Sequence, residues 1–160
     1  MKPIKEVEFE RTYDVPPETV WRAWTDPEML KEWWGPNDVS IPVCEVDLSV
    51  GGKFFIVMEA GEAMGPYKGT RWPMEGKFTV VEENSKLFYT AKAWTEGQEG
   101  TTQINQVNEL TLMYENGKTK LKLKATLNKI GPDAKMAAEG MEMGFNQQFD
   151  KLDKFLKNSK

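Results

Sequence analysis

The segment from Thr119 to Leu127 alternates between apolar and polar residues. One side of this alternation carries Thr119, Leu121, Leu123, Ala125 and Leu127, and the other side is mostly lysine. Because successive side chains of a β-strand point to opposite faces, the pattern predicts a strand with one covered and one solvated face. Strands of this kind are typical of antiparallel sheets.

Two short helices are predicted after a first strand near the start of the chain. Alternation over Glu6–Tyr13 predicts the strand. Pro16-Pro17 suits the first turn of a helix, where the missing proline N–H has no intrahelical partner to lose. Asp26-Pro27 begins a second helix, with the aspartate as its cap, and Gly35-Pro36 ends it.

The middle of the chain predicts a series of strands joined by turns. Segments with strand-like alternation are Cys44–Val50, Lys53–Met58, Trp72–Val80, Lys86–Trp94 and Glu109–Tyr114. The dipeptides Gly51-Gly52 and Asn116-Gly117 predict tight turns. Such turns need residues at positive φ, which glycine and asparagine adopt readily. Residues 60–70 and 97–102 are polar or rich in glycine and predict loops.

A long final helix is predicted from Asp133 to Lys157, opened by Gly131-Pro132. Its apolar stripe at helical spacing consists of Ala138, Met141, Phe145, Phe149 (or Gln148), Leu152 and Leu156. The order of one strand, two helices, further strands and one long helix predicts an α+β helix-grip fold. We expect one domain over residues 1–160, with a curved antiparallel sheet of six or seven strands wrapped around the C-terminal helix.

Charge and composition argue against two functional classes, nucleic-acid-binding proteins and membrane proteins. The net charge is −4, which argues against nucleic-acid binding, since such proteins usually present a basic surface. No apolar run approaches the roughly 18 residues that span a bilayer, and no charged-then-apolar leader opens the sequence. The single cysteine, Cys44, fits a reducing compartment. We therefore expect a cytoplasmic protein that binds neither nucleic acid nor membrane.

The complete lack of histidine restricts the possible chemistry. It excludes Ser-His-Asp and Cys-His triads and removes the commonest general base at neutral pH. We expect no metal, no cofactor and no catalytic residue, although an enzyme remains an alternative. Cys44 lies on the apolar side of its predicted strand and is interpreted as a packing thiol.

Four stretches of the sequence resemble a known family. They are VWRAWTDPEMLKEWWGP (Val20–Pro36), VDLSVGGKF (Val46–Phe54), KLFYT (Lys86–Thr90) and GMEMGFNQQFDKLDKFL (Gly140–Leu156). The chain resembles the activator-of-heat-shock-protein-90-ATPase homologues, within the START-like, birch-pollen-allergen-like (SRPBCC) superfamily. Many relatives have arginine where Ser49 stands here. The resemblance implies a cavity between sheet and long helix that is suited to apolar ligands.

Aromatic and methionine side chains are the candidate ligand-binding residues of this cavity. They are Trp33, Trp34, Phe55, Trp72, Met74, Phe78, Tyr89, Met136, Met141 and Phe145. For each residue taken singly, filling the core is the simpler interpretation. Gly140 and Gly144 disfavour a helix interior and suggest close approach of the backbone to a strand or ligand.

Three functions remain open at this point. The first is non-enzymatic binding of a small hydrophobic or aromatic molecule in the cavity. The second, suggested by the family name, is a chaperone-associated or stress-response interaction protein. The third is a cyclase-like or hydrolase-like enzyme that uses the same cavity. A homodimer is possible, but no residue pattern requires one.

Overall fold

One antiparallel sheet of seven strands organises the part of the chain that the computed structural model describes, residues 5–158. The spatial order is β1-β7-β6-β5-β4-β3-β2. The strands are β1 Lys5–Tyr13, β2 Val39–Val46, β3 Lys53–Ala60, β4 Arg71–Glu82, β5 Lys86–Ala93, β6 Ile104–Glu115 and β7 Lys118–Ile130. The predicted domain also includes residues 1–4 and 159–160, which lie outside the described residues.

Five α-helices cover the inner face of this sheet or connect its strands within residues 5–158. They are α1 Pro17–Thr25, α2 Pro27–Trp33, α3 Glu99–Thr102, α4 Lys135–Glu139 and α5 Met141–Lys157. A short 3₁₀ segment, Glu62–Tyr67, occupies the predicted loop between β3 and β4. The curved sheet, the two helices after β1 and the C-terminal helix confirm the predicted helix-grip fold.

The strand β7 has the two faces that its sequence predicts. Thr119, Leu121, Leu123, Ala125 and Leu127 are each at most 1% exposed. The turn before it also forms as predicted, with φ of 53° at Asn116 and 77° at Gly117. Both values lie in the region that a two-residue hairpin turn requires, and the hairpin fixes the register of β6 against β7.

The strand predicted over Cys44–Val50 is wrong in position. The observed strand β2 is Val39–Val46, and Leu48 and Val50 are 39% and 69% exposed. The chain curls at this point, because Ser49 N–H donates to Asp47 O at 2.9 Å. The apolar alternation therefore continues from the strand into a turn, which the periodicity alone does not reveal.

Strand β4 changes face through a bulge. Phe78 pairs with Tyr89, but Val80 pairs with the adjacent residue Phe88, so one residue of β4 is extra. Phe78 is buried, and after the bulge Val81 rather than Val80 packs against the core. The register shift therefore interrupts the simple alternation predicted over Trp72–Val80.

The predicted single long helix is broken at Gly140. The short helix α4 ends at Glu139, and α5 begins at Met141. Lys5 Nζ donates to Ala138 O at 2.8 Å and so satisfies a carbonyl at the end of α4. The break divides the C-terminal region into a short helix that packs near Ile104 and Leu127 and a long helix that packs against β1 and α1.

The C-terminal half of α5 packs tightly in the core. Phe149, Leu152 and Leu156 are each at most 2% exposed. The ring of Phe149 lies 5.4 Å from that of Phe9 on β1 and 6.3 Å from that of Trp24 on α1. The predicted apolar stripe is confirmed here, and its side chains are buried in the core.

Candidate ligand cavity

A cavity of about 370 Å³ lies under α4 and the N-terminal half of α5. Its other walls come from the segment after α2 and from strands β3, β4, β5 and β6. The apolar lining residues are Trp34, Pro36, Met58, Met64, Trp72, Met74, Ala93, Trp94, Ile104, Ala134, Ala137, Met141 and Phe145. Pockets for small organic ligands typically measure roughly 300–1,000 Å³ and are mainly apolar. The cavity has the size and lining of such a pocket.

Half of the predicted ligand-binding residues line this cavity. They are Trp34, Trp72, Met74, Met141 and Phe145. Trp34 follows α2, Trp72 and Met74 lie on β4, and the last two lie on α5. Alternation places Trp72 and Met74 on the same face of β4, and helical spacing places Met141 and Phe145 one turn apart.

Three other predicted residues lie in the packed core. Trp33 is fully buried, and its Nε1–H donates to Ala23 O at 3.0 Å, which ties α2 to α1. Phe78 and Tyr89 pack around Phe54, with ring centroids 5.4 Å from it. Burial raises the pKa of Tyr89. The space beside Phe78 and Tyr89 is only about 20 Å³, which is too small for an organic ligand.

The last two predicted residues do not line the cavity. Phe55 lies between the buried residues Phe54 and Ile56, so the two-residue period of β3 turns it to the outer face of the sheet. Met136 is 82% exposed, because Ala138 is the residue of α4 that is buried against the core. The expectation that Phe55 and Met136 contact a ligand in this cavity is therefore corrected.

Two buried polar residues of the cavity lining are not among the predicted site residues. Gln148 and Gln106 are 5% and 6% exposed, and each has an unpartnered side-chain atom. Gln148 appeared only as an alternative member of the helical stripe. Gln106 lies in the part of β6 that precedes the predicted strand, so its inward direction could not be assigned. The sequence does contain one indication of these residues. Each glutamine occupies an apolar position, Gln106 in the two-residue period of a strand and Gln148 in the 3.6-residue period of a helix.

The glycines of the C-terminal helices shape the cavity. A Cβ atom added at Gly144 would meet nothing within 4 Å, and one at Gly140 would meet only Met136 O and Ala137 O, at 3.5 and 3.9 Å. Both residues line the cavity. Of the two predicted reasons for Gly144, close approach of the backbone to a strand is therefore not the one observed. The missing side chain of Gly144 leaves open space in front of α5.

The segment after α2 forms a fixed wall of the cavity. Gly35 N–H donates to Gln148 Oε1 at 2.8 Å. Lys151 Nζ donates to Trp34 O at 3.1 Å and to Pro36 O at 3.2 Å. Burial lowers the pKa of Lys151, against a smaller opposing effect of Asp38. Two side chains of α5 thus hold this segment on both sides of Gly35.

A family model described as activator of Hsp90 ATPase homolog 1-like protein matches residues 14–157. The chain belongs to this family. This confirms the resemblance drawn from the sequence motifs. Among curated proteins, none matches the chain.

Solved structures of similar proteins share the fold of this family member over nearly its whole length. A protein from Nitrosomonas europaea is 26% identical with a TM-score of 0.73, covering 96% of this chain and 95% of that one. A protein from Mesorhizobium loti is 26% identical with a TM-score of 0.72, covering 98% and 99%. The AHSA1 protein from Silicibacter pomeroyi is 23% identical with a TM-score of 0.74, covering 98% and 100%.

Two further observations concern ions and membranes. Within residues 5–158, no three or more Cys, Asp or Glu side chains come together in a way that could hold a metal ion. The helices of the same residues all lack the combination of length and apolar character that crossing a membrane requires.

Proposed function

We propose that this family member binds a small, largely apolar or aromatic molecule in the cavity between the sheet and α4–α5. The observation that carries the proposal is a 370 Å³ space lined by three tryptophans, Trp34, Trp72 and Trp94, and by four methionines. Aromatic rings offer flat apolar surfaces, and methionine adapts its shape to irregular ligands. In this role the chain is a non-enzymatic binding protein of the cytoplasm.

The contrast between the two halves of α5 supports this proposal. The C-terminal half is packed by fully buried side chains such as Phe149 and Leu152. The N-terminal half presents Gly144 to open space instead. A core that needed only stability would gain from filling that space, because apolar burial is favourable by about 25 cal/mol per Å². An unfilled space beside a well-packed core is what a ligand-binding site requires.

Titration with the neutral apolar dye N-phenyl-1-naphthylamine tests the proposal. Because three tryptophans line the cavity, bound dye should accept their excitation energy and emit. We expect saturable sensitised emission at one dye per chain. Native mass spectrometry of the same sample should show a 1:1 complex.

Two substitutions at Gly144 test whether the dye binds in this cavity. Gly144→Leu places an isobutyl group in the cavity, whereas Gly144→Ala adds a single methyl group at the same position. Both should fold, since alanine and leucine are each better helix formers than glycine. We expect Gly144→Leu to weaken dye binding at least tenfold and Gly144→Ala to weaken it much less. Dye binding that does not saturate, or that is equal in both variants, would contradict the proposal.

A further inference from the structure

The side-chain amide of Gln148 has a fixed orientation inside the cavity. Its Oε1 accepts the Gly35 N–H at 2.8 Å, and an amide NH₂ group could not accept this hydrogen bond. The Nε2 atom is therefore the free end of the amide. It is buried and has no hydrogen-bond partner among the described residues. Gln148 thus lines the cavity and carries an unused donor that is buried at the cavity wall.

Gln106 lines the same cavity and carries an unused, buried acceptor. It lies on β6, whereas Gln148 lies on α5. Its Oε1 atom is buried and has no partner within residues 5–158. The inward direction of Gln106 follows from the alternation of β6, in which Ile104, Gln106 and Asn108 are all buried.

Thr102 also lines the cavity, but its side chain is fully hydrogen-bonded. Thr102 Oγ1 donates to Gln98 O at 2.7 Å and accepts the Thr95 N–H at 2.8 Å. Its hydrogen bonds are satisfied by the neighbouring loop, so it has a structural role. Buried polar atoms are normally paired in this way, because leaving one unpaired is costly. The two glutamines combine an unpaired buried atom with a place in the cavity lining.

We infer that the ligand is a neutral molecule with an apolar or aromatic frame that carries both a hydrogen-bond acceptor and a donor. The acceptor, such as a carbonyl oxygen, takes the hydrogen bond of Gln148 Nε2–H. The donor, such as a hydroxyl group, gives its hydrogen bond to Gln106 Oε1. Both protein groups are uncharged amides, and complementary neutral groups match them without burying an unpaired charge. This inference rests on the proposed function and adds the polar groups that select the ligand.

Three probes of similar shape separate the polar contributions. Diphenylmethane carries neither group, benzophenone adds the carbonyl acceptor, and 4-hydroxybenzophenone adds the hydroxyl donor. Their dissociation constants are measured by displacement of the dye at pH 6.5. In a purely apolar pocket, each added polar group should weaken binding, because it loses its water without a new partner. With the amides as partners, each group should instead strengthen binding about fivefold to tenfold.

Variants assign each contribution to its glutamine. Gln148→Met keeps length and shape but lacks the donor, and Gln106→Met lacks the acceptor. The matched control is Gln147→Met. Gln147 Oε1 accepts the Asn37 N–H at 3.0 Å, so this variant loses a similar hydrogen bond to the same segment, but Gln147 does not line the cavity.

The outcomes separate this inference from the proposed function. Support requires that the carbonyl gain is lost in Gln148→Met, that the hydroxyl gain is lost in Gln106→Met, and that Gln147→Met keeps both. If the dye binds but diphenylmethane binds as tightly as the other probes, the inference is overturned and the binding function stands. If neither the dye nor any probe binds, both are overturned.

Discussion

Arg11 and Asp153 join the first strand to the last helix across 142 residues of sequence: Arg11 Nη1 lies 2.8 Å from Asp153 Oδ2. A second carboxylate, Asp150, lies 3.1 Å from the same nitrogen, and the guanidinium group lies over the ring of Phe149 at 5.7 Å. The arginine therefore combines two ion pairs with an aromatic contact on one turn of α5.

We expect Arg11→Met to destabilise the protein by about 1 kcal/mol, because the ion pairs are partly exposed and the aromatic contact adds to them. Such a loss lowers the melting temperature by roughly 2–4 °C for a domain of this size. The control is Lys31→Met, which removes the exposed pair of Lys31 with Glu28 at 3.3 Å. Urea unfolding should show less than about 0.5 kcal/mol for this control. Equal effects of the two substitutions would contradict the role of Arg11.

Gly35→Ala should destabilise the protein more than the same substitution at Gly69. Both glycines have φ of 83°, which is strained for alanine. A Cβ atom at Gly35 would also lie 2.8 Å from Met58 Sδ and Val39 Cγ2, whereas one at Gly69 meets nothing within 4 Å. We expect about 1 kcal/mol at Gly69 from backbone strain alone and about 2–4 kcal/mol at Gly35. Thermal unfolding of both variants measures the difference, and similar losses would show that the wall at Gly35 yields easily.

Asn108→Leu and Thr119→Val should change stability in opposite directions. Asn108 is 1% exposed and neither polar atom of its side chain has a partner within the described residues. Thr119 is equally buried, but its hydroxyl donates to Val15 O at 2.6 Å. Removing the unpaired amide should stabilise the fold by about 1 kcal/mol, and removing the paired hydroxyl should cost about 1–2 kcal/mol. Chemical unfolding of both variants tests this, and a loss at Asn108 would reveal that its amide is satisfied.

The thiol of Cys44 should react slowly in the folded protein. Burial raises its pKa from about 9 to about 11, against a smaller opposing effect of Lys31. Only the thiolate is alkylated, so at pH 8 the folded chain should react with iodoacetamide on the order of 100-fold more slowly than the chain in urea. The rate of the folded protein should continue to rise up to about pH 11, whereas in urea it should level off near pH 9.

The same shift of the Cys44 pKa has a consequence for stability. Because the folded state holds the thiol proton more tightly, this contribution is fully present below about pH 9 and is lost as the pH rises towards about 11. Cys44→Ala provides the control, because it removes the titrating thiol from both the alkylation experiment and the measurement of unfolding free energy against pH. A folded-state rate that levels off at pH 9 would show that the thiol is not shielded.

Several elements could be predicted because local patterns determine them. The faces of β7 follow from its alternation, and the hairpin before it follows from Asn116-Gly117, where both residues adopt positive φ. The proline at the start of α1 and the Asp26 cap of α2, which accepts the Glu28 N–H at 2.9 Å, also act within a few residues. The packed stripe of α5 and the family motifs complete this local information.

The sequence by itself determined the order of the elements, the helix-grip class and the apolar character of the cavity lining. The tertiary structure alone decided which side of a packed core each large side chain occupies. Trp33 and Trp34 are neighbours in sequence, yet Trp33 is locked to Ala23 in the core and Trp34 lines the cavity. The burial and the unpaired ends of Gln106 and Gln148 likewise depend on the tertiary packing around β6 and α5. Periodicity gives the direction of a side chain within its own element, but whether that direction meets another atom or open space depends on contacts between distant segments.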